Sequence, residues 1–251
     1  MPLLLTAAHH TATGLRERNE DFAGMVTPSE PEISTKGMIA AVADGVSGSA
    51  GGREAAEYSV RGLLTDYYAT PDTWPVTQAL DRVIKAINSW VQQQGSLRSG
   101  QGGMATTLTA LVVRGHHYYF AHVGDSRLYL LRGATLKRLT TDHVWDRHEM
   151  RHVLTRAIGL DSQLAIDHGM GELQPGDIFL LASDGVWGAL PESDIEWHLS
   201  TLAEDPAKPE YTARLLVDAA LANGSKDNAT ALVLRVQQLP EENLRDALAG
   251  A

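Results

Sequence analysis

The stretch "TTLTALVVRGHHYYFAHVGDSRLYLLRGATLKRLT", residues 106 to 140, decides the fold. It holds four short runs rich in β-branched, aromatic and aliphatic side chains, separated by Arg-Gly, Gly-Asp and Arg-Gly turns. Glycine accepts the positive φ of a tight turn, so the spacing predicts four strands of an antiparallel meander. Upstream, the apolar runs Leu3 to Ala8 and Met38 to Ala43 read as buried strands, and a second strand opens at Glu20-Asp21. Between the two apolar runs, "TPSEPEISTKG" reads as a polar, Pro-containing loop.

After "DGVSGSAGG" the period changes. Ala55, Ala56, Val60, Leu63 and Leu64, then Val76, Leu80, Val83, Ile84, Ile87 and Val91, recur at helical spacing and predict two amphipathic helices. Residues 143 to 157, 192 to 200 and 208 to 222 also read as helices, while "DIFLLAS" and "ATALVLRV" read as strands. Runs of strands and paired helices without regular βα alternation predict an α+β layered fold.

The 251 residues suffice for one large domain, at 43% hydrophobic and 21% charged residues. A net charge of −10 argues against nucleic acid and against an anionic membrane surface as partners. No cysteine is present, which excludes both a disulfide framework and a thiolate zinc site. The apolar opening lacks the basic start and the length of a signal peptide, and no apolar run reaches membrane-spanning length.

Several strands end in carboxylates. Met38 to Ala43 runs into Asp44-Gly45, Ile178 to Ser183 into Asp184-Gly185, and Asp227-Asn228 precedes the last apolar run, while Asp125 sits in the turn Gly124-Asp125-Ser126. Any one Asp-Gly pair is ordinary turn chemistry. Several of them, delivered to one sheet edge, repel one another and must protonate or bind cations. Oxygen donors without thiolate favour Mg²⁺ or Mn²⁺.

The segments "RERNED" (16 to 21), "VADGVSG" (42 to 48), "MATTLTAL" (104 to 111), "HVGDSRLYLLR" (122 to 132), "LTTDH" (139 to 143), "LTRAIG" (154 to 159), "GDIFLLASDGVW" (176 to 187) and "DNAT" (227 to 230) follow one another in an order that resembles the metal-dependent protein serine/threonine phosphatases of the PP2C (PPM) family, in their compact bacterial form. The resemblance implies a central sandwich of two antiparallel sheets flanked by helix pairs, filling residues 1–237, with residues 238–251 a polar tail or linker. It implies that Asp44 bridges two Mn²⁺ or Mg²⁺ ions, that the Gly45 carbonyl completes one, and that Asp184 and Asp227 hold the other. Glu20 and Asp21 would hold metal-bound waters, Arg16 would clamp the substrate phosphate, and Asp125 with Asp184 would form a third metal site.

The expected reaction is hydrolysis of phosphoserine and phosphothreonine by a hydroxide shared between two metals, which needs no protein nucleophile. The partners implied are phosphorylated proteins, including a bacterial Ser/Thr kinase, with a kinase domain following on the same chain in some similar proteins, and the expected location is the cytoplasm. The rival reading is a catalytically silent domain of the same fold.

Two departures stand out. Where many animal members carry a His after the first Asp-Gly, this chain has Val46, which leaves the general acid unassigned, with a metal-bound water as its expected source. His143 is instead expected to be a structural, hydrogen-bonded His. The segment between Asp142-His143 and "LTRAIG" holds only ten residues, which predicts a flap cut to a short helix. On it, His148, Glu149 and His152 spell H-E-x-x-H, a zinc-peptidase pattern. The extended form would need Gly and His where the chain has Thr155 and Ile158, and Glu172 has no supporting motif, so a solvated helix face is expected there. Trp145 and Trp187 are expected in the core or the cleft wall, and Thr106 and Thr107 as structural strand residues near the cleft.

Overall fold

The computed structural model describes residues 3–46, 51–97, 103–145, 153–204 and 208–241. Two five-stranded antiparallel sheets form its centre. The first runs in the order β1 (Leu4–Ala12), β10 (Ala229–Gln238), β9 (Ile178–Ala182), β6 (Arg127–Arg132) and β7 (Thr135–Arg138). The second runs β2 (Asp21–Val26), β3 (Met38–Asp44), β4 (Leu108–Arg114), β5 (His117–Val123) and β8 (Asp167–Glu172).

Met38, Val42 and Leu111 of one sheet meet Leu128, Phe179, Leu181 and Leu232 of the other in a shared core. The opposite face of the second sheet, with Ile39, Ala41, Ala110 and Val112, packs on α2 (Gly52–Ala69) and α3 (Val76–Leu97). That of the first, with Tyr129, Leu180 and Val233, packs on α5 (Glu192–Glu204) and α6 (Pro209–Ala222). The result is the α+β four-layer sandwich expected from the sequence. Strands covered on both faces must be apolar on both, which is why β3 and β9 read as unbroken hydrophobic runs.

The meander is corrected. β4 pairs with β5 and β6 with β7, but the two hairpins lie in different sheets, and the Gly124-Asp125 turn crosses between them. The first strand extends to Ala12. The loop at 27–37 contains a single turn, α1 (Glu32–Thr35), and Asp184–Trp187 form another, α4.

The helix expected at 143–157 is absent from its described ends. There Val144 bridges Leu154, Trp145 N–H donates to the Val153 carbonyl (3.1 Å) and Thr155 N–H to the His143 carbonyl (2.8 Å). These bonds form a strand-like neck, and residues 146–152, with the H-E-x-x-H pattern, lie outside the described residues. So do residues 242–251, on which the expected tail falls. Among the described residues no helix is long and apolar enough to cross a membrane.

A buried cation closes α2. Lys36, 5% exposed, donates from Nζ to the carbonyls of Thr70 (2.5 Å) and Pro71 (3.1 Å) and to Thr70 Oγ1 (2.9 Å), just past the helix end. A cation there meets carbonyls of the segment that leaves the helix and the negative end of the helix dipole. Lys36→Ala is expected to lower stability by about 2 kcal/mol, since it removes three hydrogen bonds from a charged donor. Chemical denaturation would register this as a shifted midpoint at unchanged slope.

Candidate active site

Strand ends from both sheets meet at one end of the sandwich. Asp44 closes β3 and stands opposite Asp21, the first residue of β2, in the strand register. Ala182 of β9 pairs with Ala231 of β10 on one side and Arg127 of β6 on the other, so Asp184, Asp227 and Asp125 all fall just beyond the same edge. The loop after β1 carries Arg16 and Glu20 across it.

The backbone around Asp44 is held by hydroxyls. Asp44 N–H donates to Thr107 Oγ1 (2.9 Å), and Thr106 Oγ1 donates to the Asp44 carbonyl (2.8 Å), as Thr107 N–H does (2.8 Å). Thr107 Oγ1 also bonds Ser126 Oγ (2.7 Å), which ties the Asp44 turn to the residue after Asp125. Gly45 is required by packing, since a Cβ there would lie 2.3 Å from the Gly52 backbone at the start of α2.

The carboxylates have unlike partners. Asp21, 2% exposed, accepts from Ser183 Oγ at Oδ2 (2.7 Å), and Ser183 Oγ in turn accepts the Thr230 N–H (3.0 Å). Asp227 receives Arg16 Nη2 at Oδ2 (2.7 Å) and its own neighbour's N–H, from Asn228, at Oδ1 (2.8 Å). Among the described residues no donor satisfies the buried Asp21 Oδ1 and Asp184 Oδ1, and both carboxyls lie within hydrogen-bond reach of Asp44. An orphaned buried carboxylate oxygen is costly and marks a place built for another ligand.

Electrostatics agree. Burial pushes Asp21 up to about 6, with the Asp184 charge adding to it, and pushes Asp125 up to about 7, with Asp184 and Asp142 adding. Asp44 is raised well above the usual carboxylate range, by burial first and then by Asp21, Asp184, Asp125 and Asp227. Asp184 is raised by burial and by Asp227. Burial also raises Glu20, which lies within reach of the charges on Arg16 and Asp227. The seven ionisable residues expected from the sequence therefore gather in one electrostatic neighbourhood, with Gly45 next to Asp44 and Arg16 paired to Asp227.

Beside this cluster, Arg127 lies over the Trp187 ring at 3.4 Å and makes a bidentate pair with Asp142. Trp187 is thus a wall, as expected, whereas Trp145 is 49% exposed and is no core residue. His143, nearly buried, accepts the Gly124 N–H at Nδ1 (3.1 Å) and bonds Asp167 Oδ2 through Nε2 (3.1 Å). The accepted N–H fixes the tautomer, so Nε2 carries the proton. His143 is the structural His expected. Ser183 and Asn228 escaped the sequence reading, although both lie inside quoted motifs.

Residues 9–222 match the family described as Protein phosphatase 2C. The chain belongs to this family. It is 29% identical over 247 residues to the serine/threonine phosphatase stp of Listeria innocua, with 88% of this chain and 91% of that protein covered. A solved structure of PppA from Pseudomonas aeruginosa, described as a key regulatory component of T6SS, is 32% identical with a TM-score of 0.78, covering 92% of this chain and 97% of that one. The catalytic domain of the phosphatase PstP, determined with two manganese ions, is 28% identical with a TM-score of 0.78, covering 94% and 100%.

Metal ions are therefore implied for a protein phosphatase 2C chain, and the donor set can be tested against them. Among the described residues no three acidic or His side chains stand as a ready-made ion cage; Asp227 is held by Arg16 and Asn228, and one oxygen of Asp21 by Ser183. The chemistry nevertheless fits. The donors are all oxygen, two buried oxygens lack partners, and the charges of Asp21, Asp184, Asp125 and Asp227 raise the proton affinity of Asp44 in a way that a divalent cation would reverse.

Proposed function

We propose that this phosphatase hydrolyses phosphoserine and phosphothreonine in phosphoproteins, using Mn²⁺ or Mg²⁺ held by Asp44, the Gly45 carbonyl, Asp184 and Asp227. Glu20 and Asp21 orient metal-bound waters, Arg16 receives the phosphoryl group, and Asp125 with Asp184 provides a third, weaker cation site. The reading is carried by the convergence of the carboxylates of Asp21, Asp44, Asp125, Asp184 and Asp227 at one end of the sandwich, where two buried oxygens stand unpartnered.

When bound, such ions supply Lewis acidity, charge neutralisation and an activated water. The chain's own residues supply position. Arg16 is pre-paired to Asp227, and its planar guanidinium can exchange that carboxylate for a dianionic phosphoryl group. Thr106, Thr107 and Ser126 fix the Asp44 turn, so its carboxylate need not reorganise. Val46, after Asp44-Gly45, offers no proton to the leaving group, and a site water is the proposed donor. The natural counterpart is a Ser/Thr kinase whose products this enzyme reverses. Every acidic residue of the motif is retained, which disfavours a catalytically silent domain.

Turnover of p-nitrophenyl phosphate and of a phosphothreonine peptide is expected with Mn²⁺ or Mg²⁺ and is expected to vanish in EDTA. Activity that survives chelation, or peptide-bond cleavage abolished by His148→Ala, would overturn the proposal.

A further inference from the structure

Asn228 sits in the active site without a chemical duty, yet it is 5% exposed and almost fully bonded. Its Oδ1 accepts the Glu20 N–H (2.8 Å), and its Nδ2 donates to the carbonyls of Thr13 (2.8 Å) and Arg18 (2.8 Å). Its backbone N–H donates to Asp227 Oδ1 (2.8 Å). The amide orientation is forced, because the flipped carboxamide would point its oxygen at two carbonyls and its NH₂ at an N–H. Residues 13, 18 and 20 bracket Arg16, so one side chain ties both flanks of the Arg16 loop to the residue beside Asp227.

A second contact reinforces the tether. Leu15 N–H donates to the Lys226 carbonyl (3.3 Å), and Gly14, at φ +61°, lies so close that a Cβ would stand 2.1 Å from the Asp227 carbonyl oxygen. The loop is therefore pressed onto Asp227 with no room for a side chain.

We propose that Asn228 is a positioning residue for phosphate recognition: it fixes the Arg16 loop in register with Asp227, so that the guanidinium stands where it can take up the phosphoryl group in exchange for that carboxylate. This rests on the function proposed above. Asn228 touches no substrate and acts through Arg16 and Glu20. Its side chain donates twice and accepts once, a combination that Asp cannot supply, because a carboxylate at this place would face two carbonyl oxygens.

The test compares wild type with Asn228→Asp in Mn²⁺, reading KM and kcat for p-nitrophenyl phosphate, the competitive inhibition constant of inorganic phosphate, and Tm. Misplacement of a clamp by about 1 Å costs on the order of 100-fold in rate. Asn228→Asp is expected to weaken phosphate inhibition at least tenfold and to lower kcat/KM on the order of 100-fold. Arg16→Ala should then cost much less in the Asn228→Asp background than in wild type, because the two residues act as a unit. A merely structural Asn would lower Tm and leave the phosphate constant and the effect of Arg16→Ala unchanged, and that result overturns the inference.

Should Asn228→Asp fail to fold, Gly14→Ala on the exposed loop displaces the same segment. Weakened phosphate inhibition supports the inference there, and an unchanged constant rejects it. A wild type with no Mn²⁺-dependent turnover overturns the proposed function and this inference with it. An active wild type whose phosphate constant ignores these substitutions overturns this inference alone.

Discussion

Asp184→Asn is expected to lower kcat/KM for p-nitrophenyl phosphate in saturating Mn²⁺ by about 10³-fold, while leaving the ion-free protein as stable as wild type or more so. Asp184 follows β9 and opens the single turn α4, where its Oδ1 is buried without a partner. The amide is nearly isosteric but removes a charge from the proposed hard-cation site. A metal contributes several kcal/mol of transition-state stabilisation, and each 1.4 kcal/mol or so is a factor of ten in rate. In the ion-free protein the same change removes one member of a group of mutually repelling carboxylates, since burial and the Asp227 charge both raise Asp184. Activity and ion-free stability should therefore move in opposite directions. A variant within threefold of wild type would show that Asp184 holds no essential ion, and a variant that loses activity only because it unfolds would show a structural role. Steady-state kinetics together with thermal melts in EDTA separate these results.

Much of this site is legible in the sequence because its carboxylates belong to strand ends. β3, β9 and β10 are apolar runs whose type is set by burial on both faces, and the acidic residue that ends or precedes each run announces itself. What sequence order does not carry is the sheet to which a hairpin belongs. Both hairpins within residues 106 to 140 have covered faces, so nothing in their periodicity shows that Gly124-Asp125 passes from one sheet to the other. That crossing is what carries Asp125 to the edge beyond β9. The edge strand β8, "DHGMGE", has no β-branched residue, and it pairs with β5 where Gly169 and Gly171 lie against the Phe120 and Tyr118 rings. Glycine there is chosen for the neighbouring aromatic, a tertiary reason that a local pattern cannot show. The neck at Val144 and Leu154 replaces a helical period at its described ends by strand-like pairing across the intervening segment. Ser183 and Asn228 were hidden for the same cause: their partners Asp21 and Glu20 lie 162 and 208 residues away in the chain.

The pH dependence of stability offers the second large effect. Asp21 is raised to about 6 and Asp125 to about 7, against an ordinary carboxylate near 3.8. Between those limits these two carboxyls bind more protons in the folded protein than in the unfolded chain, so their contribution to the unfolding free energy falls as pH rises, partly offset up to about pH 6.5 by buried His122, which is held down to about 4. The favourable state is complete below the ordinary carboxylate value and is lost by about pH 7, after which the curve flattens. With both groups largely buried, the loss amounts to several kcal/mol in the ion-free protein. At roughly 2 to 4 °C per kcal/mol for a chain of this size, the ion-free Tm should drop by about 10 °C or more between pH 5 and pH 8. A bound divalent cation replaces the missing protons, so Mn²⁺ should raise Tm little at pH 5 and most at pH 8. Asp21→Asn should reduce the ion-free drop to the share that Asp125 carries, since the amide has no proton to lose and keeps an oxygen to accept from Ser183 Oγ. A Tm that rises with pH in EDTA, or a Mn²⁺ increment of equal size at both ends, would mean that the buried acidic cluster is relieved by something other than protons or cations.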